Sequence, residues 1–162
     1  MKVIFVRHAA AVDKTAFKRA DMLRPLTDQG MKVARQAAVV LEKVFPEISL
    51  VISSEAVRAR QTANILAKAF KGIKVRESGL LNPGSGLDEI RELLAGVWEK
   101  HETVAVVGHE PDFSHILAHS TGEGKLNIAV EKAACIAVDM NCRGKGQLIL
   151  LLPPWAVAAL QH

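Results

Sequence analysis

The sequence predicts an α/β fold, a three-layer αβα sandwich with helices on both faces of a mostly parallel central sheet. Short apolar runs rich in β-branched residues recur along the chain, and each ends abruptly in polar or glycine residues. Segments with the apolar spacing of amphipathic helices separate these runs. Because strands that alternate with helices pair in parallel through right-handed crossovers, this pattern predicts a parallel sheet.

The predicted strands and helices follow one another in the order βαβαβαβα. The parallel strands are predicted at residues 3–6, 50–52 and 104–107, with a weaker strand at 73–76. Stripes of apolar residues three and four positions apart predict the helices between and after them. The stripes are Val33, Ala37, Val40, Leu41 and Val44; Thr62, Ile65, Leu66 and Ala69; Leu87, Ile90, Leu94 and Val97; and Phe113, Ile116 and Leu117.

A C-terminal antiparallel hairpin is predicted from two β-rich runs at 135–140 and 147–152, which a glycine-containing turn joins. The chain has 162 residues, of which 49% are hydrophobic and 23% charged, a size and composition typical of one globular domain. No internal repeat or linker-like composition shift divides it. We therefore expect a single domain over residues 1–162.

Charge and composition narrow the classes of partner. Lysine and arginine number 21 against 17 aspartates and glutamates, and this formal charge of +4 mildly favours anionic partners. Five Phe, two Trp and no Tyr leave little material for base stacking, so no nucleic-acid partner is expected. The most apolar stretch, 148–160, contains two prolines and is shorter than the roughly 18 residues that a membrane helix needs. With no export signal visible, we expect no membrane partner and a cytoplasmic location.

No cofactor and no metal are expected. The two cysteines, Cys135 and Cys142, are too few for a disulfide scaffold and lack the paired spacing of a structural zinc site. His115 and His119 stand four residues apart, a spacing that can bind metal, but no third ligand is evident nearby. We interpret all four residues as structural.

Polar residues that can bind ligands or take part in catalysis follow three of the predicted strands. In an open α/β sheet, ligands bind beyond the carboxyl ends of the strands. Arg7 and His8 follow the first strand, Arg58 lies one helical turn beyond the second, and His109 follows the strand at 104–107. Each residue alone is weak evidence, but together they predict two arginines and two histidines at one edge of the sheet.

These residue types suit phosphoryl transfer. Arginine presents a rigid fork of donors that matches phosphate oxygens, so Arg7 and Arg58 are predicted to clamp a dianionic group. A neutral imidazole beside the clamp can attack phosphorus in line, which makes His8 the expected nucleophile. Nearby positive charge disfavours the imidazolium and keeps the attacking nitrogen free. His109 is expected to donate a hydrogen bond to the equatorial oxygens.

Four segments of the chain resemble the histidine phosphatase superfamily, which includes the phosphoglycerate mutases. In order and spacing they are Val-Arg7-His8-Ala9, Arg24-Pro-Leu-Thr-Asp-Gln-Gly30, Ser54-Glu-Ala-Val-Arg58-Ala-Arg-Gln61-Thr62-Ala and Val-Gly108-His109. The Arg-Pro-Leu-Thr segment and the short length look most like the SixA-type branch, the bacterial phosphohistidine phosphatases. The resemblance implies a phosphoglycerate mutase-like fold, phosphorylation at His8, and phosphoryl binding by Arg7, Arg58 and His109 with Arg24 nearby.

The chain also departs from the family pattern. Ala9 replaces the common glycine of Arg-His-Gly, which a strand end with ordinary φ tolerates. Many members use a carboxylic acid to protonate an alkoxide leaving group, and the segment 80–87 has no obvious match. Glu110 sits where the acid phosphatase branch carries an aspartate donor, so it is the candidate proton donor, ahead of Asp88 and Glu89. The alternative interpretation of each is a helix-start carboxylate stabilised by the macrodipole.

Four further residues are expected to be structural or peripheral to the site. Trp98 and Trp155 are expected to pack against the sheet, because both are far in sequence from the motifs. Gln61 and Thr62 stand at helical spacing from Arg58 and are expected to support its position.

The missing acid bears on the substrate. An alkoxide leaves poorly without an acid, whereas phosphohistidine can lose a neutral imidazole after easy protonation. The chain has no long insertion to build a lid, so we expect a shallow site that admits a phosphorylated side chain of another protein. The sequence therefore predicts a metal-independent protein phosphohistidine phosphatase that acts through His8. A small-molecule phosphomonoesterase with the same site is the alternative, and a mutase and a silent phosphoprotein-binding module are less favoured.

Overall fold

The computed structural model describes residues 1–160 and contains one six-stranded sheet of order β3-β2-β4-β1-β5-β6. The strands are β1 (Lys2–Arg7), β2 (Leu50–Ser53), β3 (Val75–Glu77), β4 (Thr103–Gly108), β5 (Cys135–Met140) and β6 (Gly146–Leu152). The first four pair in parallel, β5 is antiparallel to β1, and β6 is antiparallel to β5. The predicted mostly parallel sheet with a C-terminal hairpin is confirmed. Residues 161 and 162 of the expected domain lie outside the described residues.

Within residues 1–160, five helices cover the sheet in two layers. They are α1 (Asp28–Val44), α2 (Val57–Ala69), α3 (Leu87–Ala95), α4 (Asp112–Thr121) and α5 (Pro154–Ala159), with short 3-10 turns at Asp21–Leu23 and Gly79–Leu81. Strand β1 alternates between the layers: Ile4 and Val6 pack with α1, α2 and α5, whereas Val3 and Phe5 pack with α3 and α4. A strand buried on both faces is typical of a parallel sheet, and the predicted three-layer sandwich is confirmed.

The structure differs from the sequence-based prediction in two places away from the site. The weak strand begins at Val75 instead of residue 73, because Lys71 and Gly72 adopt positive φ in a turn after α2. Helix α5 was not predicted: Pro153 and Pro154 end β6 and start this short helix. The expectation for Trp155 is wrong, because α5 buries Val157 and leaves Trp155 68% exposed. Trp98 is partly buried against the α3 and α4 layer, as expected.

Sheet register brings three strand ends to one level. Arg7 pairs with Gly108 across β1 and β4, and Ser53 pairs with Val107 across β2 and β4. The backbone ladder continues one step beyond the strands, because the amide of His8 donates to the carbonyl of Gly108 at 3.0 Å. The residues that follow β1, β2 and β4 therefore emerge side by side.

Helix α1 packs closely against the chain that follows His8. Thr27 caps the helix by accepting a hydrogen bond from the amide of Gly30 at 3.0 Å, and its own amide donates to the carbonyl of Ala10. A Cβ at Gly30 would clash with that same carbonyl oxygen. Glycine is needed here because the helix backbone lies directly on the loop backbone.

We expect Gly30→Ala to lower the free energy of unfolding by roughly 1–3 kcal/mol, since an added methyl group must push α1 off the loop. Urea denaturation measures this change. Gly79→Ala is the matched control, because the nearest atom to its added Cβ lies at 3.7 Å. Equal stability of the two variants would contradict the close packing.

Candidate active site

Arg7, His8, Arg58 and His109 lie together at the carboxyl ends of β1, β2 and β4. The centroids of the two imidazole rings are 5.2 Å apart, and Arg58 Nε donates to His8 Nε2 at 3.3 Å. His8, Arg58 and His109 are each less than 10% exposed, and Arg7 is partly buried. The strand order thus assembles the four residues that the sequence singled out.

The hydrogen bonds of His8 define its tautomer. Its Nδ1 lies 2.8 Å from the carbonyl oxygen of Ala9, and because a carbonyl only accepts, Nδ1 carries the hydrogen. Its Nε2 faces a guanidinium N–H, which only donates. Nε2 therefore carries a lone pair that points at the Arg58 side chain.

Burial and positive charge keep both imidazoles neutral. Burial, as the largest cause, together with the charges of Arg58, Arg7 and Arg24 lowers the pKa of His8 to about 4, against the raising effect of the hydrogen bond to Ala9. Burial also lowers the pKa of His109 to about 3, with His8 and Arg58 contributing. At neutral pH the site holds two uncharged rings among cationic side chains.

Asp21 holds two arginines in place, a role that the sequence analysis missed. Its carboxylate accepts from Arg58 Nη2 and from Arg24 Nε, both at 3.0 Å, and its backbone oxygen accepts from Arg58 Nη1 at 2.8 Å. Arg24 Nη1 also donates to the carbonyl of Val12 at 2.8 Å. The only sequence signal was an acid three residues before Arg24, which alone does not distinguish a site residue from a surface ion pair.

Arg7 is held by the segment before β5, and not by Asp21. Its Nη1 donates to the carbonyl of Val130 at 2.6 Å, while its backbone pairs with Ala133 and Ala134. Its Nε is buried and has no hydrogen-bond partner among residues 1–160. A buried guanidinium N–H without a partner is a donor available to an anionic ligand.

Thr62 and Gln61 support the site through backbone contacts. The hydroxyl of Thr62 donates to the carbonyl of Arg58 at 2.8 Å and accepts from the amide of Ala9 at 3.1 Å. Gln61 accepts from the amide of Leu26 at 2.7 Å. Helix α2 is thereby tied both to the loop after His8 and to the segment that carries Arg24.

His109 is held by two residues that follow other strands. Its Nε2 lies 2.8 Å from the hydroxyl oxygen of Ser54, and that hydroxyl lies 2.9 Å from Oδ1 of Asn82. Ser54 follows β2, whereas Asn82 follows the 3-10 turn after β3 and was not singled out from the sequence. The sequence gives only a weak indication of this role for Asn82, because an asparagine before Pro-Gly is common in turns of any kind.

The three candidate proton donors all occupy helix starts. Glu110 accepts from the amide of Ser114 at the start of α4 at 2.9 Å, and its charge opposes the lowering of the pKa of Arg7 by burial. Asp88 pairs with Arg91 and Glu89 accepts from the amide of Gly86, so these contacts lie within the start of α3. Of the three carboxylates, Glu110 is the one whose charge acts on a site arginine.

The structure also places the residues with metal-binding potential. His119 contacts the carbonyl of His115 along α4, and no group of three or more His, Cys, Asp or Glu side chains within residues 1–160 could hold a metal ion. Cys135 is buried and Cys142 is exposed, and both are free. None of the helices in the described part of the chain has the length and apolar character to cross a membrane.

The chain belongs to the histidine phosphatase superfamily, because the model for branch 1 of that family matches residues 3–125. The protein histidine phosphatase SixA, solved with tungstate, superposes with a TM-score of 0.85 at 24% identity over 96% of this chain and 98% of that one. A phosphoglycerate mutase from Bacillus anthracis gives 0.72 at 17% identity, with 99% and 96% covered. A protein from Escherichia coli proposed to be an alpha-ribazole-5'-P phosphatase gives 0.75 at 19%, with 95% and 98% covered. The phosphoglycerate mutase-like fold is confirmed.

The two depressed histidine pKa values predict that the fold loses stability in mild acid. Below the ordinary pKa of about 6.5 the unfolded chain takes up a proton at each ring. In the folded chain His8 is protonated only near pH 4 and His109 only near pH 3. Stability is therefore full above pH 6.5 and falls as the pH drops toward 4, with a limit of about 1.4 kcal/mol per pH unit for each ring.

Urea denaturation at pH 7, 6 and 5 measures this slope. The double variant His8→Gln/His109→Gln is expected to have a shallower slope, since it has no imidazole in the site. An identical slope in the wild type and the double variant would contradict the assignment.

Proposed function

We propose that the chain is a metal-independent phosphatase that removes the phosphoryl group from phosphohistidine on a protein, through a covalent phosphohistidine at His8. The observation that carries this proposal is the state of His8, which is neutral, has its hydrogen on Nδ1 and directs the lone pair of Nε2 at Arg58. Such a nitrogen is ready to attack phosphorus without first losing a proton.

The proposed reaction has two displacements at phosphorus. In the first, Nε2 of His8 bonds to phosphorus as the bond to the substrate imidazole breaks, and the departing nitrogen takes a proton from solvent. In the second, water attacks the phosphoryl group on His8, orthophosphate leaves, and the lone pair returns to Nε2. With the transfer divided in this way, the same arginine side chains can stabilise the phosphoryl group in both steps.

The arginines are proposed to hold the phosphoryl oxygens throughout. Arg58 lies against His8 Nε2, and Arg7 has a buried N–H without a partner among the described residues. Arg24 is joined to Arg58 through Asp21 and adds positive charge at the same edge. Pre-positioned guanidinium groups stabilise charge on the equatorial oxygens without reorganising during the reaction. His109 is proposed to donate a hydrogen bond to one of these oxygens.

Two observations support phosphohistidine as the substrate. The carboxylates that could protonate an alkoxide are engaged at helix starts, and a neutral imidazole leaving group is less dependent on such an acid. The likeness in fold to a protein histidine phosphatase is compatible with this substrate class. We propose that the partner is a phosphohistidine-bearing protein, with no nucleic-acid or membrane partner, and that the chain acts as one domain.

The alternative is a small-molecule phosphomonoesterase that uses the same site. Glu110 favours it, because this carboxylate directly follows His109 and acts electrostatically on Arg7. In this function Glu110 is the proton donor to an alkoxide. The likeness to the Escherichia coli protein proposed to act on alpha-ribazole-5'-P is compatible with such a substrate.

Phosphate release in EDTA tests the proposal against the alternative. The substrates are a histidine-containing protein phosphorylated with phosphoramidate and the ester p-nitrophenyl phosphate. We expect faster turnover of the phosphoprotein without metal and a loss of at least about a thousandfold in His8→Ala, because the nucleophile is removed. His115→Ala, which removes an exposed histidine of α4, is the matched control and is expected to keep activity.

The outcomes separate the two functions. Cleavage of the ester alone, lost in Glu110→Gln, establishes the phosphomonoesterase. Full activity of His8→Ala on the phosphoprotein rules out the covalent route through His8.

A further inference from the structure

The hydrogen bonds around Ser54 leave a single arrangement of protons. The amide of Asn82 is oriented by Glu55, whose backbone N–H donates to Oδ1 at 3.0 Å and whose carboxylate accepts from Nδ2 at 2.9 Å. Turning this amide over would set donor against donor and acceptor against acceptor. Oδ1 of Asn82 is thus an acceptor that faces the hydroxyl of Ser54.

Ser54 has one hydrogen to give and it goes to Asn82, at 2.9 Å. Its oxygen accepts from the amide of Ala56 at 3.2 Å, which leaves one lone pair for Nε2 of His109 at 2.8 Å. Because Ser54 can only accept from His109, the ring must carry its hydrogen on Nε2. His109 is therefore the opposite tautomer from His8.

The other ring nitrogen of His109 carries a lone pair. This Nδ1 is buried and has no hydrogen-bond partner among residues 1–160. If His109 donates to a phosphoryl oxygen, as the proposed function requires, Nδ1 is the remaining ring nitrogen that can do so, since Nε2 is bound to Ser54. An oxyanion oxygen and an unprotonated nitrogen both present lone pairs, so they repel until a proton lies between them.

We propose that Ser54 and Asn82 fix His109 as the Nε2–H tautomer and thereby make its Nδ1 take up a proton when a phosphoryl group binds. The proton comes from solvent, and the resulting imidazolium donates to Ser54 and to the bound oxyanion at once. Ser54 and Asn82 are positioning residues, because they act through His109. The inference rests on the proposed phosphoryl site.

Burial and the charges that face His109 explain why its ring is protonated only when the ligand binds. In the free site, burial lowers the pKa of this ring to about 3, and His8, Arg58 and Arg7 act in the same direction against Asp21. A bound dianion neutralises the arginines and attracts the imidazolium, which raises the pKa of His109. The site thus stays uncharged at both rings when empty and gains one positive charge when occupied.

Calorimetric titration with tungstate at pH 7 tests the proposal, because tungstate is a tetrahedral dianion without a proton to contribute at that pH. Binding is measured in two buffers of different ionisation enthalpy, and the difference in observed heat gives the number of protons taken up. We expect about one proton per tungstate in the wild type and about tenfold weaker binding for each unit of pH above 7.

Two variants test the positioning residues. Ser54→Ala removes the acceptor of Nε2–H, and Asn82→Ala keeps the serine but frees its hydrogen to point at His109. Both allow the Nδ1–H tautomer, which donates without protonation, so proton uptake is expected to fall below half in each. Ser53→Ala removes a neighbouring buried hydroxyl that bonds to the carbonyl of Ser54, and it is expected to keep the full uptake.

The contrary results are distinct. Tungstate binding without proton uptake in the wild type overturns this inference and leaves the proposed function standing. Equal uptake in His109→Gln places the proton on another group and also overturns it. No binding of tungstate at all overturns the phosphoryl site and the inference with it.

Discussion

The candidate site depends on one arrangement of hydrogen bonds, which fixes His8 between a backbone carbonyl and a guanidinium. The carbonyl of Ala9 accepts a hydrogen bond from Nδ1, and Arg58 donates to Nε2, so the lone pair of Nε2 has a defined position and direction. A loose ring would populate both tautomers, and the Nε2–H tautomer has its lone pair on Nδ1, so Nε2 could not act as the nucleophile. Thr62 joins the two sides by bonding both the amide of Ala9 and the carbonyl of Arg58.

Placing a cation beside that imidazole is costly in a buried site unless a negative charge compensates. Asp21 provides this charge, because its carboxylate and backbone oxygen take two of the three Arg58 nitrogens while Nε remains toward His8. The same carboxylate orients Arg24. A buried guanidinium held in this way keeps its geometry before a ligand arrives, which is the condition for electrostatic stabilisation of a phosphoryl group.

The sequence predicted the parts of the molecule that local patterns specify. Strands buried on both faces appear as apolar runs, and the rule that ligands bind beyond their carboxyl ends was enough to single out Arg7, His8, Arg58 and His109, which the structure brings together. Asp21 and Asn82 were not predicted as site residues. Both make their contacts from loop regions, and the conformation of a loop cannot be predicted from the periodicity of the sequence. Trp155 was misjudged for a related reason: a six-residue helix has too few positions for its buried face to be read from spacing.

The most direct test of the central claim is the ¹⁵N NMR signature of the His8 ring between pH 3 and pH 8. Long-range nitrogen–proton correlations distinguish the two neutral tautomers from the imidazolium. The structure predicts a neutral ring with its hydrogen on Nδ1 that protonates only near pH 4. A ring with its hydrogen on Nε2, or one that titrates near its ordinary pKa of about 6.5, would contradict the account.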